Sequence, residues 1–124
     1  MPTDDQKVQD LLKPMLKKKL FVVISRAVAS QEQMKPHVVE HLEWMDQMQS
    51  KGKLWASGPF PQEGVEVGDG LTILQASSFQ EAESMIKEEP MTKLGFRTYE
   101  LRPWELREGR MTITLDASTS TYSM

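Results

Sequence analysis

The first signal in the chain is a set of short apolar segments with the period of β-strands. Residues 20–25 (LFVVIS) are rich in β-branched and aromatic side chains, which predicts a first, central strand buried on both faces. Residues 53–57 and 70–76 predict two further strands. Residues 96–104 alternate cleanly between two faces, which predicts a fourth strand.

The segment between the second and third strands is rich in glycine and proline. Gly58-Pro59 is predicted to end the second strand, and residues 60–70 (FPQEGVEVGDG) contain three glycines and a proline. We therefore expect a long turn or a hairpin between the two strands.

Apolar residues recur at helical spacing between the first and second strands and again between the third and fourth, which predicts a helix in each interval. Ser30 is a candidate cap for a first helix, Pro36 fits its first turn or a kink, and Gly52 suits its end. Ser77 or Ser78 is expected to cap a second helix, which ends before Glu89-Pro90. The apolar positions of the two helices are Val38, Leu42, Met45, Met48, Ala82, Met85 and Ile86.

The resulting order is β-α-β-β-α-β, which predicts a ferredoxin-like α+β fold. Such a sheet has helices on one face only, so its other face is expected to be covered by a second copy in a homodimer. Residues 110–118 (RMTITLDAS) alternate apolar and polar positions, which predicts an extra C-terminal strand that could pair across the dimer. The last six residues (TSTYSM) show no such pattern and are expected to be mobile.

A chain of 124 residues is most simply a single domain. We expect residues 1–17 to form an N-terminal extension with a short leading helix that ends or kinks at Pro14, residues 18–104 the core, and residues 105–124 the C-terminal strand and tail.

Composition excludes several classes of function. The net charge of −3 lacks the basic footprint of a nucleic-acid binder, and no apolar run is long enough to span a membrane. Without any cysteine, neither thiolate metal sites nor a cysteine nucleophile can form. No signal peptide is recognisable, and a cytoplasmic location is the default expectation.

The two histidines are the first candidates for chemistry. His37 and His41 are four residues apart and would share one helix face. A zinc site would need a third ligand, and HVVEH is not the zinc helix HExxH, so no metal is expected. A helix histidine can be a general acid or base, or an ordinary packed or solvated residue. Spacing alone leaves both readings open.

The other candidates surround the Gly58-Pro59 segment and the end of the second helix. Glu88 and Glu89 precede Pro90 at a helix end, where a carboxylate can be placed accurately, although two exposed glutamates would give the same pattern. Gly58 permits close approach of a ligand to the backbone. Trp44, Trp55 and Phe60 would suit an aromatic substrate, although core packing also explains them and is the favoured interpretation. No phosphate loop, nucleophile elbow or dinucleotide fingerprint is present.

Several short motifs, taken in order, resemble the YciI-like (YCII-related) family over residues about 19–104. They are His41-Leu42, Gly52-Lys53-Leu54, Ser57-Gly58-Pro59-Phe60, Gly70, Ala82, Glu89-Pro90-Met91 and Arg102-Pro103-Trp104. The resemblance implies a dimeric ferredoxin-like α+β barrel with a pocket between helix and sheet. It also implies an acid–base pair of a helix histidine and an aspartate; His41 stands at the first position and Glu89 at the second, with Met91 where the family has an aromatic.

The resemblance further implies a cofactor-free enzyme that moves protons on a small aromatic or lactone substrate. One branch of the family is a lyase that dehydrochlorinates a chlorinated hydroxyhydroquinone in aromatic degradation. By that analogy His41 is the base, Glu89 orients it, and Ser57 with the backbone near Gly58 donates to the developing oxyanion. Trp55, Pro59, Phe60 and His37 are further candidates for substrate binding.

Two alternatives to the lyase remain open at this point. A muconolactone-type isomerase or a dehalogenase would use the same residues. The chain could instead be a non-catalytic ligand-binding dimer, which the replacement of aspartate by Glu89 favours.

Overall fold

A computed structural model describes residues 1–62 and 65–123 of the chain. Its elements are, in chain order, α1 (Asp4–Leu12), β1 (Lys18–Ala27), α2 (Gln31–Met34), a 3₁₀ turn (Lys35–His37), α3 (Val38–Ser50), β2 (Leu54–Gln62), β3 (Val65–Leu74), α4 (Phe79–Lys87), α5 (Pro90–Lys93), β4 (Arg97–Leu106), β5 (Thr114–Asp116) and β6 (Thr121–Ser123). The chain divides into two compact units, one of residues 19–105 and the other of residues 1–18 with 106–124.

The larger unit is built on a four-stranded sheet with the order β2-β3-β1-β4. Strands β1 and β3 are antiparallel with Phe21 opposite Leu74, and β2 and β3 are antiparallel with Ser57 opposite Thr72. Helices α3 and α4 connect β1 to β2 and β3 to β4. This is the split βαβ order of a ferredoxin-like domain, so the predicted α+β fold is confirmed.

One face of the sheet carries the hydrophobic core. Phe21, Val23 and Leu74 from the strands are buried with three residues of α4, which are Ala82, Met85 and Ile86 as predicted. Burial of β1 on both faces is met only in part within this chain, because on the opposite face Leu20 is buried while Val22 and Ile24 are half-buried. A second copy on that face stays a prediction.

Strand β2 does not end at Gly58-Pro59 as predicted but continues to Gln62, with a shift in register between Pro59 and Pro61. Proline lacks the N–H that a central strand needs, but β2 lies at an edge of the sheet and can tolerate the loss. Strands β2 and β3 pair antiparallel as far as Gln62 opposite Val65, which agrees with the hairpin alternative, and residues 63–64 lie outside the described part of the chain.

The predicted first helix consists of three consecutive pieces. Ser30 caps α2 through a capping box with Gln33, and the 3₁₀ turn that contains Pro36 separates α2 from α3. Gly52 follows α3 with a φ of 71°, the left-handed conformation that glycine adopts most readily. The predicted cap and stop are therefore confirmed, and of the two roles expected for Pro36, a first turn or a kink, the interruption of the helix agrees with the kink.

The smaller unit contains the leading helix and the C-terminal tail. Helix α1 begins after Thr3, whose hydroxyl accepts the Gln6 N–H, and ends at Leu12 before Pro14. The predicted strand over residues 110–118 is shorter, and it pairs as β5 with β6 in a separate two-stranded sheet. Residues 121–123, in the final segment that is expected to be mobile, form the partner strand.

Candidate active site

A buried carboxylate lies between α4 and α5. Helix α5 is not among the predicted elements, although an acidic cap followed by proline is a recognised helix start. Glu89 is the N-cap of this short helix and is 2% exposed. Its Oε1 accepts the Met91 N–H at 3.1 Å, and its Oε2 accepts the N–H and the hydroxyl of Thr92, both at 2.9 Å. Both oxygens are therefore held in place.

His41 completes this arrangement from α3. Its Nδ1 lies 2.5 Å from Glu89 Oε1, and its side chain is 14% exposed. The extra methylene of glutamate, compared with the aspartate expected in the family, therefore does not prevent contact with His41. The structure joins two residues that are 48 positions apart in the sequence.

The pKa of Glu89 indicates which of the two side chains carries the proton in their hydrogen bond. Burial raises this pKa, but the hydrogen bonds from His41, Met91 and Thr92 lower it more, so the net pKa lies below its ordinary value of 4.5. Glu89 is therefore an ionised acceptor at neutral pH, and His41 Nδ1 must carry the donated proton. In neutral His41 this leaves Nε2 as the unprotonated nitrogen, which can accept a proton.

His41 forms part of the wall of a cavity of about 600 Å³ between α3 and the sheet. This volume lies within the range of small-molecule sites. Helix α3 contributes residues spaced along one face, which are Val38, His41, Leu42, Met45 and Gln49. The rest of the wall comes from the sheet strands and from Met91.

The structure brings most of the predicted site residues together. Trp55, Ser57, Gly58 and Pro59 of β2 all line the cavity that His41 lines. The Ser57 hydroxyl lies 3.3 Å from the hydroxyl of Thr72 on the neighbouring strand. These four residues thus share one surface with the candidate base.

Two predicted substrate-binding residues do not line the cavity. His37 Nδ1 contacts the carboxylate of Glu40, and the His37 ring packs against Phe96 at 5.5 Å between centroids. Phe60 is half-exposed farther along β2. The 3₁₀ turn accounts for the first case, because His37 and His41 do not lie on one continuous α-helix.

Sequence reasoning missed several polar residues of the cavity wall. Ser25, Asp69, Thr72 and Arg97 line it from β1, β3 and β4. The clearest available signal was Arg97, which shares its strand face with Tyr99 and Leu101, both packed on the core. A charged residue on the apolar face of a strand indicates a position with a polar partner or a ligand.

The described residues contain no group of three histidine, cysteine or carboxylate side chains that could hold a metal ion. His37 and His41 have separate carboxylate partners, Glu40 and Glu89. The described side chains at the cavity can supply proton transfer, hydrogen bonding and charge stabilisation.

Comparison with known proteins agrees with the fold. The model of the YCII-related domain matches residues 19–105, which is most of the chain, and the protein belongs to this family. No curated protein gives a match.

Among solved structures, the chain is similar to 5-chloro-2-hydroxyhydroquinone dehydrochlorinase (TftG) from Burkholderia phenoliruptrix AC1100, in complex with 2,5-dihydroxybenzoquinone. The TM-score is 0.60 at 21% identity, and the match covers 68% of this chain and 92% of the other. This likeness concerns the fold.

In the described part of the chain, no helix has the length and apolar character needed to cross a membrane.

Proposed function

We propose that this protein is an acid–base enzyme that acts on a small aromatic compound in the cavity between α3 and the sheet, and that its reaction is the elimination of HCl from a chlorinated hydroxyhydroquinone. The observation that carries the proposal is the 2.5 Å contact between His41 Nδ1 and the buried carboxylate of Glu89, at the wall of a cavity of ligand size. The proposed reaction requires no external oxidant or reductant.

In this proposal His41 is the general base. Glu89 keeps the Nδ1 proton in place and stabilises the imidazolium that forms when Nε2 accepts a proton. The hydrogen bonds that hold both oxygens of Glu89 reduce the reorganisation needed to orient the ring. A general acid or base contributes about 10²–10⁴-fold to rate, so removal of His41 would have a large effect.

The proposed elimination balances within one substrate molecule. His41 removes a proton from one ring hydroxyl, and the carbon that bears chlorine receives a proton as the ring converts to a keto form. A second hydroxyl then loses its proton while chloride leaves with the C–Cl electron pair. The products are a hydroxyquinone and HCl.

Polar groups on β2 and β3 support the charge that develops on the ring oxygen in this scheme. The hydroxyls of Ser57 and Thr72 lie on the cavity wall and could donate to the oxyanion. Trp55 and Pro59 offer apolar surface to the ring. The ligand of the solved dehydrochlorinase, a dihydroxybenzoquinone, is a small ring of the type expected here.

The test measures chloride release and the change in ring absorbance with a panel of chlorinated hydroxyhydroquinones and chloromuconolactones. We expect the wild-type protein to release chloride, His41→Asn to be slower by about 100-fold or more, and His37→Asn to match the wild type. His37 is the matched control because it is the other histidine, it also contacts a glutamate, and it lies outside the cavity.

Three outcomes would count against the proposal. Full turnover by His41→Asn would exclude it as the base. Conversion of a lactone without chloride release would indicate an isomerase. Absence of turnover with every compound, combined with ligand binding that His41→Asn leaves intact, would favour a non-catalytic binding protein.

A further inference from the structure

The guanidinium of Arg97 is a charge that the described protein leaves unpaired. Arg97 lines the cavity from the first position of β4. Among the described side chains, those of residues 1–61 and 68–120, no carboxylate forms an ion pair with it. Its Nε is buried and has no hydrogen-bond partner within that part of the chain. A buried donor without a partner is rare and costs stability, and such positions often belong to functional sites.

A carboxylate at the cavity could have been the partner of Arg97, but neither Asp69 nor Glu89 forms an ion pair with it. Asp69 also lines the cavity, and its Oδ1 accepts the backbone N–H of Ala27 at 2.8 Å. Glu89 is engaged by His41, Met91 and Thr92. Arginine cannot lose its proton in a protein, so the charge persists in the ligand-free site.

We propose that Arg97 is the anion-recognition residue of the cavity, and that the substrate is a small ring compound that already carries a negatively charged oxygen group when it binds. This inference rests on the proposed function for the nature of the ring, and it adds the charge of the substrate class. The planar guanidinium matches a carboxylate, or an ionised acidic ring oxygen, through charge-assisted hydrogen bonds.

The positions of Arg97 and His41 give the cavity a direction. Arg97 belongs to β4 and His41 to α3, so the anion-binding group and the base are carried by the sheet and by the helix that covers it. A substrate held at Arg97 by its charged oxygen would present another ring position to His41. Arg97 thereby selects the substrate and orients it.

The experiment compares the binding of 2,5-dihydroxybenzoate and 2,5-dihydroxybenzamide by isothermal titration calorimetry at neutral pH. The two probes have the same ring hydroxyls, and only the benzoate carries a charge. We expect the wild type to bind the benzoate about tenfold more tightly or better, since a charge-assisted hydrogen bond contributes about 1.5–3 kcal/mol and 1.4 kcal/mol corresponds to tenfold.

Three variants test whether Arg97 is the source of the tighter binding of the benzoate. Arg97→Gln is expected to bind the two probes equally, and Arg97→Lys to retain part of the preference, because lysine keeps the charge and loses the planar fork. Arg102→Gln is the matched control, since Arg102 lies on the same strand, is exposed and does not line the cavity. Thermal unfolding of each variant checks that it folds, and Arg97→Lys carries the test if Arg97→Gln does not.

Equal affinity of the wild type for the two probes, including no binding of either, would overturn the inference. A preference for the benzoate that survives in Arg97→Gln would also overturn it. Failure of the proposed function is a separate result: His41→Asn would then retain chloride release, while the effect of Arg97 on probe binding would be unchanged.

Discussion

The two histidines of the chain each contact a glutamate, yet their surroundings are opposite. His37 and Glu40 are 33% and 51% exposed and lie three residues apart at the start of α3. His41 and Glu89 are 14% and 2% exposed and come from different helices. Water competes for the first pair and screens it, while the second pair is shielded and its carboxylate is fixed by α5.

The comparison shows that a histidine–carboxylate contact alone does not define a catalytic pair. Exposed pairs of this kind contribute little to stability and can rearrange freely. Burial makes the orientation of the imidazole specific, because every oxygen of Glu89 already has a donor. The pair at His41 also borders a cavity, and the pair at His37 does not.

The largest expected effect that separates the two pairs is on turnover. Glu89→Gln can donate its amide N–H to Nδ1, which would place the imidazole proton on Nε2 and remove the base. We expect turnover in the chloride assay to fall by about 100-fold or more, whereas Glu40→Gln should retain wild-type turnover. Equal losses in the two variants would contradict the distinction.

A smaller effect is expected on stability. Glu89→Gln removes a charged acceptor from a buried helix cap, and we expect the free energy of unfolding to fall by about 2 kcal/mol. Glu40→Gln should leave it unchanged within error, because the pair is exposed. Urea unfolding of both variants measures the difference. A stability loss in Glu40→Gln as large as that in Glu89→Gln would show that burial is not the deciding factor.

The smallest effect is the pH dependence of that stability difference. The folded pKa of Glu89 lies below its ordinary value, so its ionised form stabilises the folded state at pH values above about 4.5. This contribution is lost as the pH falls through the lower folded pKa. Unfolding measured from neutral to acidic pH should therefore show the gap between wild type and Glu89→Gln narrowing. A gap that stays constant or widens would contradict the assigned direction.

Much of the fold could be predicted because it depends on local rules. Ser30 and Ser78 cap helices α2 and α4 as predicted, and Gly52 follows the end of α3 as predicted. The inward face of α4 followed from helical spacing. The errors arose where the tertiary setting overrides the local preference: β2 passes through Gly58-Pro59 because it is an edge strand, and β5 pairs with a segment that shows no strand pattern of its own.

The candidate site was predicted in part. The resemblance named His41 and Glu89, and the structure adds that their side chains meet through a helix cap that was not predicted. His37 was grouped with His41 on the assumption of a continuous helix, which the 3₁₀ turn interrupts. Arg97 falls within the strand predicted from alternation, but it is not among the predicted site residues. Alternation shows which side chains share a face of the sheet, and it does not show that a cavity lies against that face.

The sequence by itself determined the β-α-β-β-α-β order of the core, the absence of cysteine chemistry and the residue types available for proton transfer. Periodicity, caps and composition act over a few residues, so they can be recognised along the chain. Only the tertiary structure decided which histidine meets a buried carboxylate and which arginine is left unpaired in a cavity. Those properties depend on contacts between distant segments and on the exclusion of water, neither of which local sequence encodes.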